Sequence, residues 1–303
     1  MSSAHRNRTH RTHYRSTTVR GHEIAYREAG PADAPALLLL HGFPTSSHMF
    51  RELIPLLSHR YRVIAPDHIG FGRSAAPAAD EFTYTFAELA EVTAEFADAV
   101  GLDRFALYVQ DYGAPIGLRL ALAHPERVTA IVTQNGNAYE EGLGAEAWAP
   151  VLAYIADPNE KTAAPIREIR SLEGITWQYT HGVPDPSLLN PDAWHHDAAL
   201  MAREGQDAIQ LALIGDYGAN IALYPAFQEY FRTSRVPLLA AWGAHDEIFV
   251  PHGALAFLRD LPEAEVHLLP TGHFALETHA AQIAGLIDDF LARHQGPRVR
   301  SRS

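Results

Sequence analysis

The most constraining feature of this chain is an apolar strand that turns directly into a helix around one aspartate. Residues 105–110 form the run FALYVQ, Asp111, Tyr112 and Gly113 follow, and residues 114–122 have the composition of a helix. A strand joined to a helix by so short a turn lifts the side chain at the turn above the edge of a sheet. Asp111 is therefore the first candidate for a nucleophile.

Predicted strands and helices alternate along most of the chain. The pattern predicts a hairpin over 19–28 around Gly21, strands over 36–40, 61–65, 105–110, 128–133, 236–242 and 265–269, and helices over 47–57, 85–100, 114–122, 253–261 and 282–293. Alternation of this kind favours βαβ units and a mostly parallel sheet. The predicted fold class is α/β, with a mostly parallel sheet flanked by helices.

The alternation stops after the sixth strand. Residues 135–234 contain tryptophans, tyrosines, prolines and short helical patterns but no convincing strand. This segment predicts a helical cap inserted over the carboxyl edge of a core made of 17–134 and 235–295. Residues 1–16, which are basic and carry no acidic residue, and residues 296–303 are predicted to be disordered tails.

Composition excludes several classes of function. The 303-residue chain has a formal charge of −12 and no cysteine. The negative charge argues against a nucleic-acid partner, and the lack of cysteine excludes disulfides, thiolate metal sites and a cysteine nucleophile. No apolar run approaches the roughly 18–20 residues of a membrane span, and no secretory signal is evident. We expect a cytoplasmic monomer or homodimer without a membrane partner.

Three candidate catalytic side chains follow predicted strands at one edge of the sheet. Asp111 follows one strand, Asp246 follows the strand ending in AWGAH, and His273 follows the last strand within PTGHF. Each residue alone is equally explained as a helix cap or a polar loop residue; the set of three predicts a triad. Asp111 would attack an electrophilic carbon, His273 would activate the water that hydrolyses the resulting ester, and Asp246 would orient the imidazole.

Two backbone N–H groups are candidates for an oxyanion hole. They belong to Tyr112, which follows the nucleophile, and to Phe43 in the motif HGFP. Gly42 permits close approach, and Pro44 predicts a turn with a cis bond after Phe43. No Gly-x-Ser-x-Gly motif occurs in the chain, which excludes a serine esterase of that kind.

The motifs HGFPTSSHMF, DHIGFGRS, VQDYGAPIG, AWGAHDEIF and PTGHF occur in this order. Together they resemble the epoxide hydrolase and haloalkane dehalogenase branch of the α/β-hydrolase superfamily, over residues 17–293, with the cap as the weakest part. The resemblance implies an α/β-hydrolase fold, a two-step mechanism through an ester on Asp111, and neither a metal nor an organic cofactor. The expected partner is a small apolar molecule that bears an epoxide or a halide.

The resemblance leaves the leaving group open. Dehalogenases of this branch hold the halide with N–H donors, usually a tryptophan after the nucleophile and an asparagine or tryptophan elsewhere, where this chain has Tyr112 and Phe43. Haloacid dehalogenases keep arginines behind the nucleophile, where this chain has Ala114 and Pro115. The predicted function is therefore an epoxide hydrolase that forms a vicinal diol, and a haloalkane dehalogenase is the alternative.

Aromatic residues of the cap are the candidates for proton donors and for the pocket wall. Epoxide hydrolases of this branch open the ring with cap tyrosines, and Tyr217 and Tyr154 lie about where these donors fall, with Tyr179 and Tyr139 as fallbacks. The same rings are equally suited to packing the cap. An apolar substrate pocket is predicted around Trp148, Trp177, Trp194 and Tyr179.

Two other functions on the same fold stay open at this point. A non-hydrolytic receptor would keep the pocket and leave the triad idle. A cofactor-free oxygenase would keep His273 and the pocket. Turnover in the absence of oxygen would separate a hydrolase from an oxygenase.

Overall fold

A mostly parallel sheet forms the centre of the molecule. The structure, a computed structural model, describes residues 10–294. In this part of the chain the sheet order is β1-β2-β4-β3-β5-β6-β7-β8, with β2 antiparallel to β1 and β4 and all later pairs parallel. The strands are β1 (His13–Val19), β2 (His22–Ala29), β3 (Ala36–Leu40), β4 (Arg62–Pro66), β5 (Phe105–Gln110), β6 (Val128–Gln134), β7 (Leu238–Gly243) and β8 (Glu265–Leu269). The predicted fold class is confirmed.

Helices cover the sheet and fill the connection between β6 and β7. They are α1 (Leu53–Leu57), α2 (Phe86–Ala99), α3 (Gly113–Ala123), α4 (Ala145–Ala156), α5 (Glu160–Ile169), α6 (Leu172–Thr180), α7 (Pro191–Met201), α8 (Gln206–Ser234), α9 (Pro251–Asp260) and α10 (Leu276–His294). Helices α4 to α8 confirm a helical region after the sixth strand. Within residues 10–294 no helix is both long and apolar enough to cross a membrane.

The longest helix departs from the short helical patterns expected in this region. Helix α8 runs for 29 residues and contains Pro225. Gly215, Gly218 and Pro225 interrupt the helical pattern of the sequence, because glycine and proline are poor residues for a helix interior. The helix nevertheless continues, since a buried face that includes Leu213 and Tyr217 packs against the rest of the molecule.

The first strand begins earlier in the chain than predicted. Strand β1 begins at His13 and pairs with β2 from His13–Glu28 onwards, so the expectation of a disordered tail over 1–16 is wrong for residues 13–16. These residues are exposed and show no apolar alternation, so the sequence pattern does not reveal the strand, which the backbone ladder with β2 and the Arg15–Glu28 ion pair hold. The remainder of that tail up to residue 9, and the predicted tail 296–303, lie outside the described residues. Helix α10 also begins earlier than predicted, at Leu276.

Side chains of the cap form hydrogen bonds with the backbone of the core. Asp216 of α8 accepts the N–H of Phe86 at 2.7 Å, and Gln206 of the same helix donates to the carbonyl of Gly70 at 2.7 Å. Both partners are buried or part-buried, where such bonds are strengthened by the low local dielectric. These contacts hold α8 across the edge of the sheet at which β5 ends.

Helix α3 starts so close to β3 that its first residue has to be glycine. A Cβ atom on Gly113 would lie 2.1 Å from the carbonyl oxygen of Leu40, far inside the contact distance of two heavy atoms. The neighbour is backbone of a fully buried strand and has no room to move. The turn that carries Asp111 is therefore pressed against the end of β3.

We expect Gly113→Ala to lower the free energy of unfolding by about 3 kcal/mol or more, because the helix would have to shift away from β3. Gly285→Ala in α10 is the matched control, since nothing lies within 4 Å of an added Cβ there. It should leave stability unchanged or raise it by up to about 1 kcal/mol. Urea unfolding followed by circular dichroism measures both, and equal midpoints for the two variants would contradict the close contact.

Candidate active site

Asp111 occupies a sharp turn between β5 and α3. Its φ is +47°, in the left-handed region that residues other than glycine rarely adopt. The carbonyl of Asp111 accepts the N–H of Ala114 at 2.9 Å, which starts the helix immediately after the turn. The strained conformation costs on the order of 1 kcal/mol. It places the carboxylate above the end of the sheet, as the sequence predicts.

The two N–H groups predicted to form an oxyanion hole, those of Phe43 and Tyr112, both interact with the carboxylate of Asp111. The N–H of Phe43 donates to Asp111 Oδ1 at 2.7 Å, and the Phe43–Pro44 peptide bond is cis. The loop after β3 can come this close because Gly42 has no Cβ atom. A Cβ at this position would lie only 2.3 Å from Asp111 Cβ. Burial raises the pKa of Asp111, while the charge of His273 and the N–H groups of Phe43 and Tyr112 act to lower it, with a net rise.

The three candidate catalytic side chains lie together. His273 Nδ1 is 2.8 Å from Asp246 Oδ2, and His273 Nε2 is 3.9 Å from Asp111 Oδ2. The first distance is a hydrogen bond and the second is too long for one. An imidazole held by one carboxylate and separated from the other is suited to act on a water molecule beside Asp111 rather than on Asp111 itself.

The environment of His273 favours its protonated form. Burial lowers the pKa of this imidazole, but the charge of Asp246, the hydrogen bond to it and the charge of Asp111 together outweigh burial and leave the pKa above its usual value. An imidazolium formed during a reaction is therefore stabilised in place.

Asn135 supports Asp246 and was missed by the sequence analysis. Its Nδ2 donates to Asp246 Oδ2 at 2.7 Å, while its Oδ1 accepts the N–H of Gly243 at 3.0 Å. The N–H of Ile248 donates to the other oxygen, Asp246 Oδ1, at 2.8 Å. The signal was available, because Asn135 directly follows β6 at the same edge of the sheet as the triad, but it was assigned to the start of the cap.

Gln110 contacts the histidine and was also missed. Its Nε2 lies 2.9 Å from His273 Nε2. The Asp246 carboxylate only accepts, so the neutral imidazole carries its proton on Nδ1 and has a lone pair on Nε2, the nitrogen beside Gln110. The place of Gln110 at the end of β5, next to Asp111, was the overlooked signal.

A cavity of about 510 Å³ opens above Asp111. The core contributes Asp111, Phe43 and Tyr112, and the cap contributes residues of α4, α6 and α8. Three predicted cap residues line it, namely Trp148, Trp177 and Tyr217. The wall is mostly apolar, as expected for a site that binds a small apolar molecule.

Tyr154 does not line this cavity, so its predicted place in the site is wrong. It lies one helical turn beyond Val151, the last residue of α4 in the cavity wall, and its ring faces Gly215 of α8. Tyr154 was predicted from its distance along the chain after Asp111, and that distance does not determine how far along α4 the cavity extends. The cavity ends before it reaches Tyr154.

Tyr179, Trp194 and Tyr139 also lie away from the cavity. The Tyr179 hydroxyl donates to Asp197 at 2.6 Å and its ring stacks on Phe274 at 4.2 Å. Trp194 packs beside Tyr179, and Tyr139 donates to Asp260 at 2.9 Å. The prediction that Tyr179 and Trp194 line the pocket is therefore wrong. The ring of Tyr179 packs on Phe274, beside His273, and the ring of Trp194 packs on Tyr179.

Tyr217 is the cap phenol that reaches the cavity. Its buried ring lies 4.7 Å from that of Trp148 and 5.9 Å from that of Tyr112, centroid to centroid. Its hydroxyl is hydrogen-bonded to that of Tyr224, which also accepts from Asn137 Nδ2 at 3.4 Å. Burial, the Tyr224 hydroxyl and the charge of Asp111 raise the pKa of Tyr217 well above its usual value, so the phenol keeps its proton.

Comparisons with known proteins agree with this architecture. The family model for the alpha/beta hydrolase fold matches residues 35–280. An uncharacterized hydrolase of Saccharomyces cerevisiae is 47% identical over 279 residues, which cover 90% of this chain and 95% of that protein. A haloalkane dehalogenase of Mycobacterium marinum is 44% identical over 114 residues, 37% of each chain.

A solved structure shows the same fold. The crystal structure of an epoxide hydrolase from Vigna radiata matches with a TM-score of 0.73 at 24% sequence identity, over 93% of this chain and 98% of that one. At this identity the likeness concerns the fold.

We expect the His273 imidazole to titrate above pH 6.5, and Asp246→Asn to bring its pKa below that value, because the charge that opposes burial is removed. His41 serves as an internal control, since burial lowers its pKa to about 4. Histidine resonances followed by NMR across pH 3–10 measure both groups. A His273 that titrates below 6.5 in the unaltered protein would contradict the coupling to Asp246.

Proposed function

The chain belongs to the α/β-hydrolase family, and we propose that it opens epoxides to vicinal diols through a covalent ester on Asp111. The observation that carries this proposal is that the Asp111 carboxylate and the Tyr217 phenol line one apolar cavity. A nucleophile and a proton donor that face the same space are what ring opening requires.

The first step forms the ester. Asp111 Oδ1 is held by the Phe43 N–H, so Oδ2 attacks a ring carbon, and the carbon–oxygen bond of the epoxide breaks. The departing oxygen takes the proton of Tyr217. Hydroxyl groups rotate freely, so Tyr217 turns its O–H from Tyr224 to the substrate, and Tyr224 then donates its own O–H to the new phenolate.

The second step hydrolyses the ester. A water molecule displaces the Gln110 amide from His273 Nε2, gives its proton to that nitrogen and attacks the carbonyl carbon of the ester. The negative charge develops on Oδ1, which the Phe43 N–H stabilises, and the Tyr112 N–H is a second donor to the same carboxyl group. Asp246 stabilises the imidazolium. Collapse of the intermediate breaks the bond between the carboxyl carbon and Oδ2, and the leaving oxygen takes the remaining proton of the attacking water, which releases the diol and restores the carboxylate. The proton on His273 then returns to the Tyr217 phenolate through solvent.

Release of a halide from a haloalkane is the second candidate, and the name of the Mycobacterium marinum relative favours it. A leaving halide needs N–H donors in the cavity. The Trp148 indole N–H is already bonded to the carbonyl of Ile248 at 2.9 Å, and the side chains of Phe43 and Tyr112 carry no N–H. Trp177 is 41% exposed, so water competes for its N–H. These contacts support the epoxide as substrate.

The deciding experiment is intact-mass measurement on His273→Gln after incubation with a panel of epoxides and haloalkanes. Without its base, the enzyme should accumulate the ester. A gain equal to a whole epoxide is the expected result, and a gain equal to an alkyl group without its halogen would replace the proposal with a dehalogenase. Asp111→Asn in the same background should show no adduct, and an adduct there would place the nucleophile elsewhere.

Tyr217→Phe should slow ester formation from an epoxide by about 100-fold or more, because the ring oxygen would leave without a proton. Tyr154→Phe removes the same atom outside the cavity and should leave the rate nearly unchanged. Single-turnover kinetics with an epoxide and with a haloalkane measure the step. Equal losses on both substrates, or an equal loss in Tyr154→Phe, would contradict the role of Tyr217.

A further inference from the structure

A second cavity, of about 730 Å³, lies where β1 and β2 meet the loops after β3 and β4 and helix α7. It shares no lining residue with the cavity above Asp111. Its wall includes three arginines, two histidines and three serine hydroxyls. Nothing in the proposed hydrolysis uses this space.

Arg27 projects from β2 into the wall of this second cavity. Its Nε donates to Ser47 Oγ at 3.2 Å, and its Nη2 donates to His48 Nδ1 at 3.0 Å. Within residues 10–294 the Arg27 guanidinium forms no ion pair, and burial lowers its pKa. Burying a charge without a counter-ion is costly, so this guanidinium is a candidate partner for an anion.

Arg73 adds a second guanidinium to this wall, and two histidines lie beside it. The Arg73 side chain is exposed and has no ion pair among the described residues. The rings of His48 and His196 lie 4.5 Å apart. Burial and the charges of Arg27, Arg51, His196 and Arg73 lower the pKa of His48 to about 3, so its ring is neutral and takes part through hydrogen bonds.

Acidic groups near the cavity are already engaged or lie at its rim. Asp67 accepts the N–H of Ser47 on one oxygen and the N–H of Arg73 on the other, each at 2.7 Å. Glu23 is exposed at the wall. Of the other arginines, Arg15 is paired with Glu28 and Arg51 with Glu277. The cationic side chains that face the cavity without an ion pair are therefore those of Arg27 and Arg73, with the carboxylates of Asp67 and Glu23 in the same wall.

We propose that this second cavity binds the phosphate group of a small organic phosphate. Guanidinium groups match the geometry of phosphate oxygens, and serine hydroxyls and imidazole N–H groups add further donors. The chain as a whole carries a charge of −12, so general attraction cannot bring an anion here and the binding has to be local.

The size of the cavity and its rim indicate an organic phosphate rather than the free ion. A volume of about 730 Å³ leaves space beyond a phosphate group. Tyr14 stands at the rim with its side chain 74% exposed, and the Arg27 guanidinium lies 5.2 Å from its ring centre. An aromatic ring at that place offers a face on which the organic part of the ligand packs.

Calorimetric titration with inorganic phosphate and with phenyl phosphate tests the proposal. Both should bind, and phenyl phosphate should bind more tightly. Arg27→Gln and Arg73→Gln should each weaken binding by about 10- to 100-fold, the effect of losing a hydrogen bond between charged groups. Arg104→Gln is the matched control, because this exposed arginine lies outside the cavity and its loss changes the net charge equally.

Several results would overturn the assignment. Absence of phosphate binding at millimolar concentration by the folded protein would do so, as would binding that both variants retain or that Arg104→Gln weakens equally. Inorganic phosphate that binds as tightly as phenyl phosphate would refute the organic part. Arg73 is exposed, so Arg73→Gln stays informative if Arg27→Gln fails to fold. Binding requires no turnover, and titration of Asp111→Asn keeps this test separate from the proposed hydrolysis.

Discussion

The positive φ of Asp111 is the constraint on which the rest of the site depends. A turn this tight between β5 and α3 exists only because the backbone passes close to β3 and the loop behind it, and glycine at positions 42 and 113 allows that approach. The same approach brings the Phe43 N–H to the carboxylate. One local strain therefore sets both the direction of the Asp111 carboxylate and the position of the N–H group that would stabilise an oxyanion there.

The buried charges of Asp246 and His273 depend on hydrogen bonds from neighbouring groups. Asp111, His273 and Asp246 are all nearly inaccessible to water, and isolated charges there would be unstable. Asn135 and the Ile248 N–H satisfy Asp246, and Asp246 in turn holds the imidazole. Each hydrogen bond offsets part of the desolvation of the next group. Because Asp246 accepts the proton on His273 Nδ1, the hydrogen bond that holds the imidazole in place also fixes its tautomer.

Much of the fold could be predicted because buried parallel strands appear as uninterrupted apolar runs. Strands β3 and β5 match the predicted ranges, and the candidate triad followed from the rule that sites lie at the carboxyl ends of parallel strands. The cap was harder. Trp148 and Tyr154 lie on one helix, yet only Trp148 lines the cavity, since the ring of Tyr154 packs against Gly215 of α8.

The sequence by itself determined the sheet, the strand-end positions of Asp111, Asp246 and His273, and the replacement of a serine by a carboxylate at the turn. These depend on hydrophobic pattern and chain order, which are local properties. Only the tertiary structure decided the partners Gln110 and Asn135, the pairing of Tyr217 with Tyr224, and the meeting of Arg27, Arg73 and His196 around one cavity. Such contacts join residues far apart in the chain, and no local pattern encodes which side chains will face each other once the helices and strands are packed.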